Sequence, residues 1–193
     1  MSGEIMKVSP KNSFGFSLVE MIMCLVVVGL ITGIVIYVSS TLSTSARFQR
    51  QAYHILETFR EASIASSQSG RRYGVMFDFI NFEYVLYEIN TDQPYSKGFE
   101  TLREEDIIES RSFNEYCELL YVQFDDGEYI DSTSEQGKAL FLVGKGGWDY
   151  GGKVVLSDIE GKLHSIVVNR LGNNPELVDG DPQLLEPAYD LSF

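Results

Sequence analysis

From residue 21 to residue 38 the chain runs 18 residues without a charge. At about 1.5 Å rise per residue, a helix of that length measures roughly 27 Å, close to the hydrocarbon core of a bilayer. Gly29, Thr32 and Gly33 interrupt the run with small side chains, which membrane helices tolerate and helix–helix contacts favour. Beyond a polar stretch at 39–45, apolar residues return at Phe48, Ala52, Ile55, Phe59 and Ala62, spaced by four, three, four and three. That spacing is one face of an amphipathic helix. Arg47, Arg50, Glu57, Arg60 and Glu61 fall off the stripe, toward water. The 39–45 stretch contains no proline or glycine to break a helix, so the pattern predicts one nearly continuous helix from Phe16 to about Ser69, ended near Gly70. Its first half is apolar all round, and its second half presents a single face for packing on a sheet.

From Tyr73 the period shifts toward strands. Residues 73–79 and 84–89 are rich in aromatic and β-branched side chains and flank 80–83, which reads as a hairpin. Residues 90–98, with Asp92, Pro94 and Gly98, read as a loop. The polar, acidic stretch 101–116 is expected to hold a short helical turn. Strands are predicted at 119–124, followed by the turn residues Asp125, Asp126 and Gly127, and at 139–143. Residues 153–157 and 163–169 bracket 158–162 as a second hairpin. The tail beyond Gly172 carries Pro175, Pro182 and Pro187 and is expected to be extended or a loop. One long helix followed by strands predicts an α+β unit, with the helix stripe laid on an antiparallel sheet.

Charge narrows the partners. The chain of 193 residues is long enough for one globular domain plus an appendage, and it carries a net charge of −13. An acidic surface repels nucleic acid and anionic headgroups. Arg71, Arg72 and Tyr73 form the only dense basic cluster. The two cysteines, Cys24 in the apolar run and Cys117 in the polar body, imply no disulfide framework and read as small apolar side chains. His54 and His164 stand apart in sequence, and no Cys/His cluster has zinc spacing.

Candidate chemistry is sparse. The glycine-rich stretch 144–153 would need a following helix to cradle a phosphate, and none is predicted. It reads instead as a flexible loop around Trp148 and Tyr150, two aromatics expected to be exposed and available to a neighbour. Asp125, Asp126 and Glu128, and separately Asp179 and Asp181, lack the spacing of a calcium loop and read as solvated acidic turns. No nucleophile triad or nucleotide motif is visible as a pattern. The sequence therefore predicts no enzyme, no metal and no cofactor.

The first 15 residues are polar and small, with Lys7 and Lys11 against Glu4. A secretory signal would place its small-residue cleavage site after a short apolar core. Here the apolar run is too long and the best small-residue boundary, Gly15, precedes it, so a cut there retains the helix. Gly15, Phe16, Ser17, Leu18, Val19, Glu20 and Met21 resemble the type IV prepilin signature: Gly, Phe, three mostly apolar residues, Glu, then an apolar helix. In that family a membrane aspartyl peptidase cuts after the glycine and methylates the new amine. The resemblance implies cleavage between Gly15 and Phe16, N-methylation of Phe16, and pairing of Glu20 with the Phe16 amine of a neighbouring subunit. A carboxylate beside a membrane span is costly and calls for such a partner, although the helix macrodipole also favours an acid in a first turn. With the leader removed, 13 basic and 27 acidic residues remain.

The expected organisation is a leader at 1–15, a transmembrane and filament-core helix at 16–38, its amphipathic continuation at 39–70 and a β-rich head at 71–193. Within the family the body most resembles the minor pseudopilin H type of type II secretion, at 46–70, at Phe141 to Gly147 and at 153–169. It departs from that type in the acidic 101–118 and in the tail after Asn173. The resemblance implies a filament subunit for protein export. Its implied partners are other pilin or pseudopilin subunits, the prepilin peptidase, an inner-membrane assembly platform and, before assembly, membrane lipid. A DNA-uptake minor pilin with a DNA-binding head is the competing reading. Arg47 and Arg50 oppose Lys7 and Lys11 on the positive-inside rule. Family resemblance places the leader inside and the head outside the cytoplasm, as a single-pass protein of the inner membrane.

Overall fold

The computed structural model describes residues 17–89, 104–170 and 174–184. The chain divides into two compact units, 1–42 and 43–193. Helix α1 (Leu18–Ser69) is 52 residues long and contributes to both. It starts where the Ser17 carbonyl accepts the amides of Glu20 and Met21 at 3.0 and 3.1 Å. It ends at Gly70, whose φ of 70° is the left-handed conformation that glycine adopts without a Cβ penalty. The Gly70 amide closes on the Ser66 carbonyl at 2.9 Å, and the Ser66 hydroxyl donates to the Arg71 carbonyl at 2.9 Å.

In the first unit every described side chain of α1 is exposed. The segment Leu18–Tyr37 is 20 residues of mean hydropathy 2.7, long and apolar enough to cross a membrane. The Thr32 hydroxyl is satisfied internally, donating to the Val28 carbonyl at 2.8 Å.

In the second unit the α1 stripe is buried as its spacing predicts: Phe48, Ala52, Ile55, Phe59 and Ala62 are all 2% exposed or less. Among the described residues ten antiparallel strands follow, in two five-stranded sheets rather than the single sheet expected. The first sheet has the order β3-β2-β1-β6-β7. Its strands are β1 (Arg72–Asp78), β2 (Glu83–Ile89), β3 (Ile107–Ser112), β6 (Lys138–Gly144) and β7 (Gly147–Trp148). The second has the order β10-β9-β8-β4-β5. It is built from β4 (Cys117–Phe124), β5 (Tyr129–Asp131), β8 (Gly152–Asp158), β9 (Leu163–Val168) and β10 (Glu176–Asp179). One core joins α1 to both sheets. At its centre Phe59 stacks on Phe77 at 5.8 Å and meets Phe141 and Trp148 edge-on at 5.2 and 5.3 Å. Phe124 of the second sheet reaches Phe141 at 4.7 Å.

Strand β4 shows how a bulge keeps a face apolar. Cys117 and Leu119 point inward, and then so do Val122 and Phe124. That change of parity would turn a regular strand inside out. The register shift between Leu119 and Tyr121 inserts one residue and restores the inward set.

The remaining departures have local causes. A 3-10 turn at Glu104–Asp106 occupies the acidic stretch, but β3 follows it where no strand was expected. β3 is an edge strand with mostly exposed side chains, so its sequence lacks the apolar alternation of a half-buried strand. β5, β7 and β10 are too short to carry a period and exist through their neighbours' ladders. Trp148, expected to be exposed in a flexible loop, is 4% exposed and belongs to the core, with β7 folding it back onto β6. The predicted loop at 90–98 lies outside the described residues.

Gly152 pairs with Phe124 across the β4–β8 ladder. A Cβ built there would lie 2.7 Å from the Gln123 carbonyl oxygen and 3.2 Å from the Phe124 Cα. Backbone cannot yield as a side-chain tip does. Gly152→Ala is therefore expected to destabilise the head by about 1–3 kcal/mol, read as a lower denaturant midpoint of the full chain in detergent. An unchanged midpoint would mean that the ladder gives way at no cost.

Candidate functional site

Of the three residues to which the sequence points, Gly15 and Phe16 lie outside the described residues. Glu20 is the acidic residue in the first turn of α1, with its side chain exposed. A carboxylate there faces the positive end of the helix dipole. It stands at the head of 15 large apolar side chains between Leu18 and Tyr37, each more than half exposed. Burying one such side chain is worth about 1.5–3 kcal/mol. A surface of this size left in water would cost tens of kcal/mol, so it requires a cover of lipid or of other apolar helices. Cys24 is exposed within this segment.

Several ionisable groups of the head are held in pairs. Arg71 and Arg72, the dense basic cluster of the sequence, are ion-paired to Glu88 and Asp149. The Tyr73 hydroxyl lies 3.4 Å from the other Glu88 oxygen. Each arginine of this cluster therefore has a carboxylate partner. Of the acidic turn residues, Asp125, Asp179 and Asp181 are ion-paired rather than merely solvated. Asp125 accepts from the Arg170 guanidinium, with one contact at 2.8 Å, and from the Gly151 amide at 3.0 Å. Asp181 is bound by the ammonium of Lys153, which also donates to the Pro182 carbonyl at 2.9 Å, and by the Tyr121 hydroxyl at 2.5 Å.

His164 likewise stands alone only in sequence. Its Nδ1 is 3.0 Å from Asp179, its Nε2 is 3.8 Å from Asp158, and its ring lies 4.5 Å from Phe48. It links β9 to β10 and to the helix. A cavity of about 400 Å³ is lined in part by Asp125, Asn169, Arg170, Pro182 and Leu184. Its two charged groups already satisfy each other. Among the described residues, no group of three or more His, Cys, Asp or Glu is placed to hold a metal ion. Burial pushes the Cys117 thiol up to about 12, which makes it a protonated, unreactive core side chain.

Asp78 is the most consequential buried carboxylate, 1% exposed at the β1–β2 turn. Burial raises its pKa, but the amides of Asn81 and Ile80, the Lys138 ammonium and the Asn81 side chain together outweigh it, and the pKa lies below the ordinary carboxylate value. A depressed folded value stabilises the head above the unfolded pKa, and that stability is lost as pH falls through the folded value. The melting temperature of the full chain in detergent should hold from neutral pH to about pH 5 and drop toward about pH 2, with a shallower drop in Asp78→Asn. Equal acid limbs in the two proteins would show that Asp78 carries none of the linkage.

Residues 10–36 match the family model described as the prokaryotic N-terminal methylation motif. No curated protein matches the chain in sequence. Among solved structures, the chain is similar to the minor pseudopilin EpsH from the Type 2 Secretion System of Vibrio cholerae. The TM-score is 0.47 and the identity 13%, over 69% of this chain and 97% of that one. Residues 10–36 of this chain thus carry a prokaryotic N-terminal methylation motif.

Proposed function

We propose that this chain is a minor pilin or pseudopilin subunit that is clipped, methylated and built into a filament serving protein export of the type II secretion kind. The observation that carries the reading is the match of residues 10–36 to the methylation motif. The junction of Gly15 and Phe16 falls inside that match, directly before the exposed apolar segment Leu18–Tyr37. On this reading the peptidase cuts between Gly15 and Phe16, and Phe16 becomes the methylated N-terminal residue. The apolar helix is first covered by lipid, as a single pass through the inner membrane with the head outside the cytoplasm. It is later covered by the helices of other subunits.

Glu20 then has a specific task. In a filament core of low dielectric a lone carboxylate is expensive, and the new amine of a neighbouring Phe16 is a cation at the matching depth. Their attraction sets the axial register of an incoming subunit against one already assembled. The chain supplies no nucleotide-binding motif, so assembly would draw its energy from a separate ATPase through an inner-membrane platform.

The deciding experiment is mass spectrometry of the N-terminal residue of membrane-extracted protein, with and without a prepilin peptidase. A chain beginning at methylated Phe16 only when the peptidase is present is the expected result. Retention of residues 1–15, or a cut beyond Val38, would sink the reading.

A further inference from the structure

His164 lies where three elements of the head meet. It sits on β9, is 8% exposed, and pairs across the ladder with Asp179, the last residue of β10. On the β10 side, Asp179 Oδ1 is 3.0 Å from its Nδ1. On the side of the β8–β9 turn, Asp158 Oδ2 is 3.8 Å from its Nε2. From α1 the Phe48 ring lies 4.5 Å away and brings no charge. From β4, Cys117 pairs with Asp158 and is a protonated, neutral thiol. Both carboxylates are held in place by their other oxygens. Asp158 Oδ1 accepts the amides of Glu160 and Lys162 at 2.9 and 2.8 Å. Asp179 Oδ2 accepts from the Lys162 ammonium at 3.0 Å.

A neutral imidazole has one N–H and one lone pair, whereas an imidazolium has two N–H donors. Each nitrogen of the His164 ring faces a carboxylate, so only the cation matches both. Without the proton, Nδ1 can still donate to Asp179, but Nε2 then turns a lone pair toward Asp158. The Phe48 ring favours a cation as well. Burial of the ring and the Lys162 ammonium act in the opposite sense. Lys162 and Asp179 are 57% and 74% exposed, so water screens both of them. Asp158 is farther from the ring but only 16% exposed, and its field reaches the ring with less screening. The two carboxylates thus bind the charged ring better than the neutral one.

β10 is four residues long and forms an edge of the second sheet among the described residues. Beyond it the chain turns at Gly180, with φ of 86°, and crosses toward β8. The Gly180 amide donates to the Leu163 carbonyl at 2.8 Å, and its carbonyl accepts the Ser165 hydroxyl at 2.6 Å. Asp181 is then held by Lys153. We propose that His164 is a proton-operated latch on this strap. Protonated, it holds β10 and the chain that follows against β9; deprotonated, it lets them open locally. Histidine changes charge between about pH 5 and 8. Asp179 stays ionised across that range, because Lys162 above all, with His164, holds its carboxyl below the ordinary carboxylate value. At Asp181 burial acts upward, but Lys153 and Tyr121 outweigh it and the value is lowered too. The proton favours the closed strand. The stability that His164 gives to the strap is therefore full at the acid end of the range and lost as pH rises through it. An opened β10 bares the edge of β9, whose unpaired N–H and C=O groups another strand can take up. The latch belongs to the head alone and is independent of processing and filament assembly.

The test is amide hydrogen exchange of the full chain in detergent between pH 5 and 8, corrected for the base-catalysed chemical rate. Ring resonances of His164 are followed in the same samples. The expected result is a loss of protection at Leu177, Val178 and Gly180 of about fivefold, the size of one partly screened ion pair. Its midpoint should coincide with the titration of the His164 ring, and Val154 in the middle of the sheet should change less. His164→Gln should abolish the pH dependence. His54→Gln, which removes the other histidine, should leave it intact. Flat protection in the wild-type chain, or an equal loss at Val154, overturns the latch. So does a pH dependence that survives His164→Gln or vanishes in His54→Gln. Should His164→Gln fail to fold, the wild-type midpoints decide alone, and a strap that opens at a pH where the His164 ring does not titrate overturns the proposal.

Discussion

Phe59→Ala is expected to cost the head about 3–5 kcal/mol of stability, the range for deleting a large buried aromatic side chain. Phe59 is fully buried and touches Phe77, Phe141 and Trp148, one aromatic ring from each of β1, β6 and β7. The second sheet reaches this nest only one contact away, through Phe124 on Phe141. Truncation removes the side chain by which the helix grips the first sheet, and rings fixed by several neighbours cannot collapse into the gap. A domain has about 5–15 kcal/mol in total, so the variant would sit near its unfolding threshold. Denaturant unfolding of the full chain in detergent measures the loss, and Phe59→Leu should recover part of it. A loss under about 1 kcal/mol would mean that the helix is held mainly by its other stripe residues.

Glu20→Val is expected to leave peptide cleavage and membrane insertion intact while removing the subunit from the filament. The substitution deletes a charge at the edge of an apolar span, so insertion becomes easier rather than harder. Assembly would lose the partner of a buried amine. Breaking a buried pair by removing one member costs about 3–5 kcal/mol, which is more than a hundredfold in an equilibrium. The sheared filament fraction should then be depleted of the variant, while the membrane fraction keeps it in processed form. Glu20→Asp, which keeps the charge on a shorter arm, should restore part of the incorporation. Normal incorporation of Glu20→Val would refute the pairing without touching the cleavage reading, because cleavage is measured separately.

Both substituted positions are legible in the sequence from local context. Glu20 is legible in the sequence because its context is local: an acid next to 18 uncharged residues, five positions after a glycine. The stripe containing Phe59 is legible for the same reason, since a helix writes its buried face into a spacing of three and four. The β1–β2 and β8–β9 hairpins are carried by aromatic and β-branched runs on either side of short turns.

Other features are settled by residues far apart in the chain. β1 pairs with β6 across two intervening strands of the other sheet, and β4 pairs with β8, so the division into two sheets has no local signature. The bulge in β4 reads in sequence as a broken alternation, and only the pairing with β8 shows that it preserves the inward face. Arg72 with Asp149, Asp125 with Arg170 and Lys153 with Asp181 become partners through the fold alone. By itself the sequence therefore determined the long helix, its apolar half, the methylation motif and the α+β class, because each is a property of neighbouring residues. The tertiary structure decided the two-sheet partition, the burial of Trp148 and the carboxylate partners of Arg71 and Arg72. Those depend on which distant segments meet, and that choice is made by the packing of the whole core.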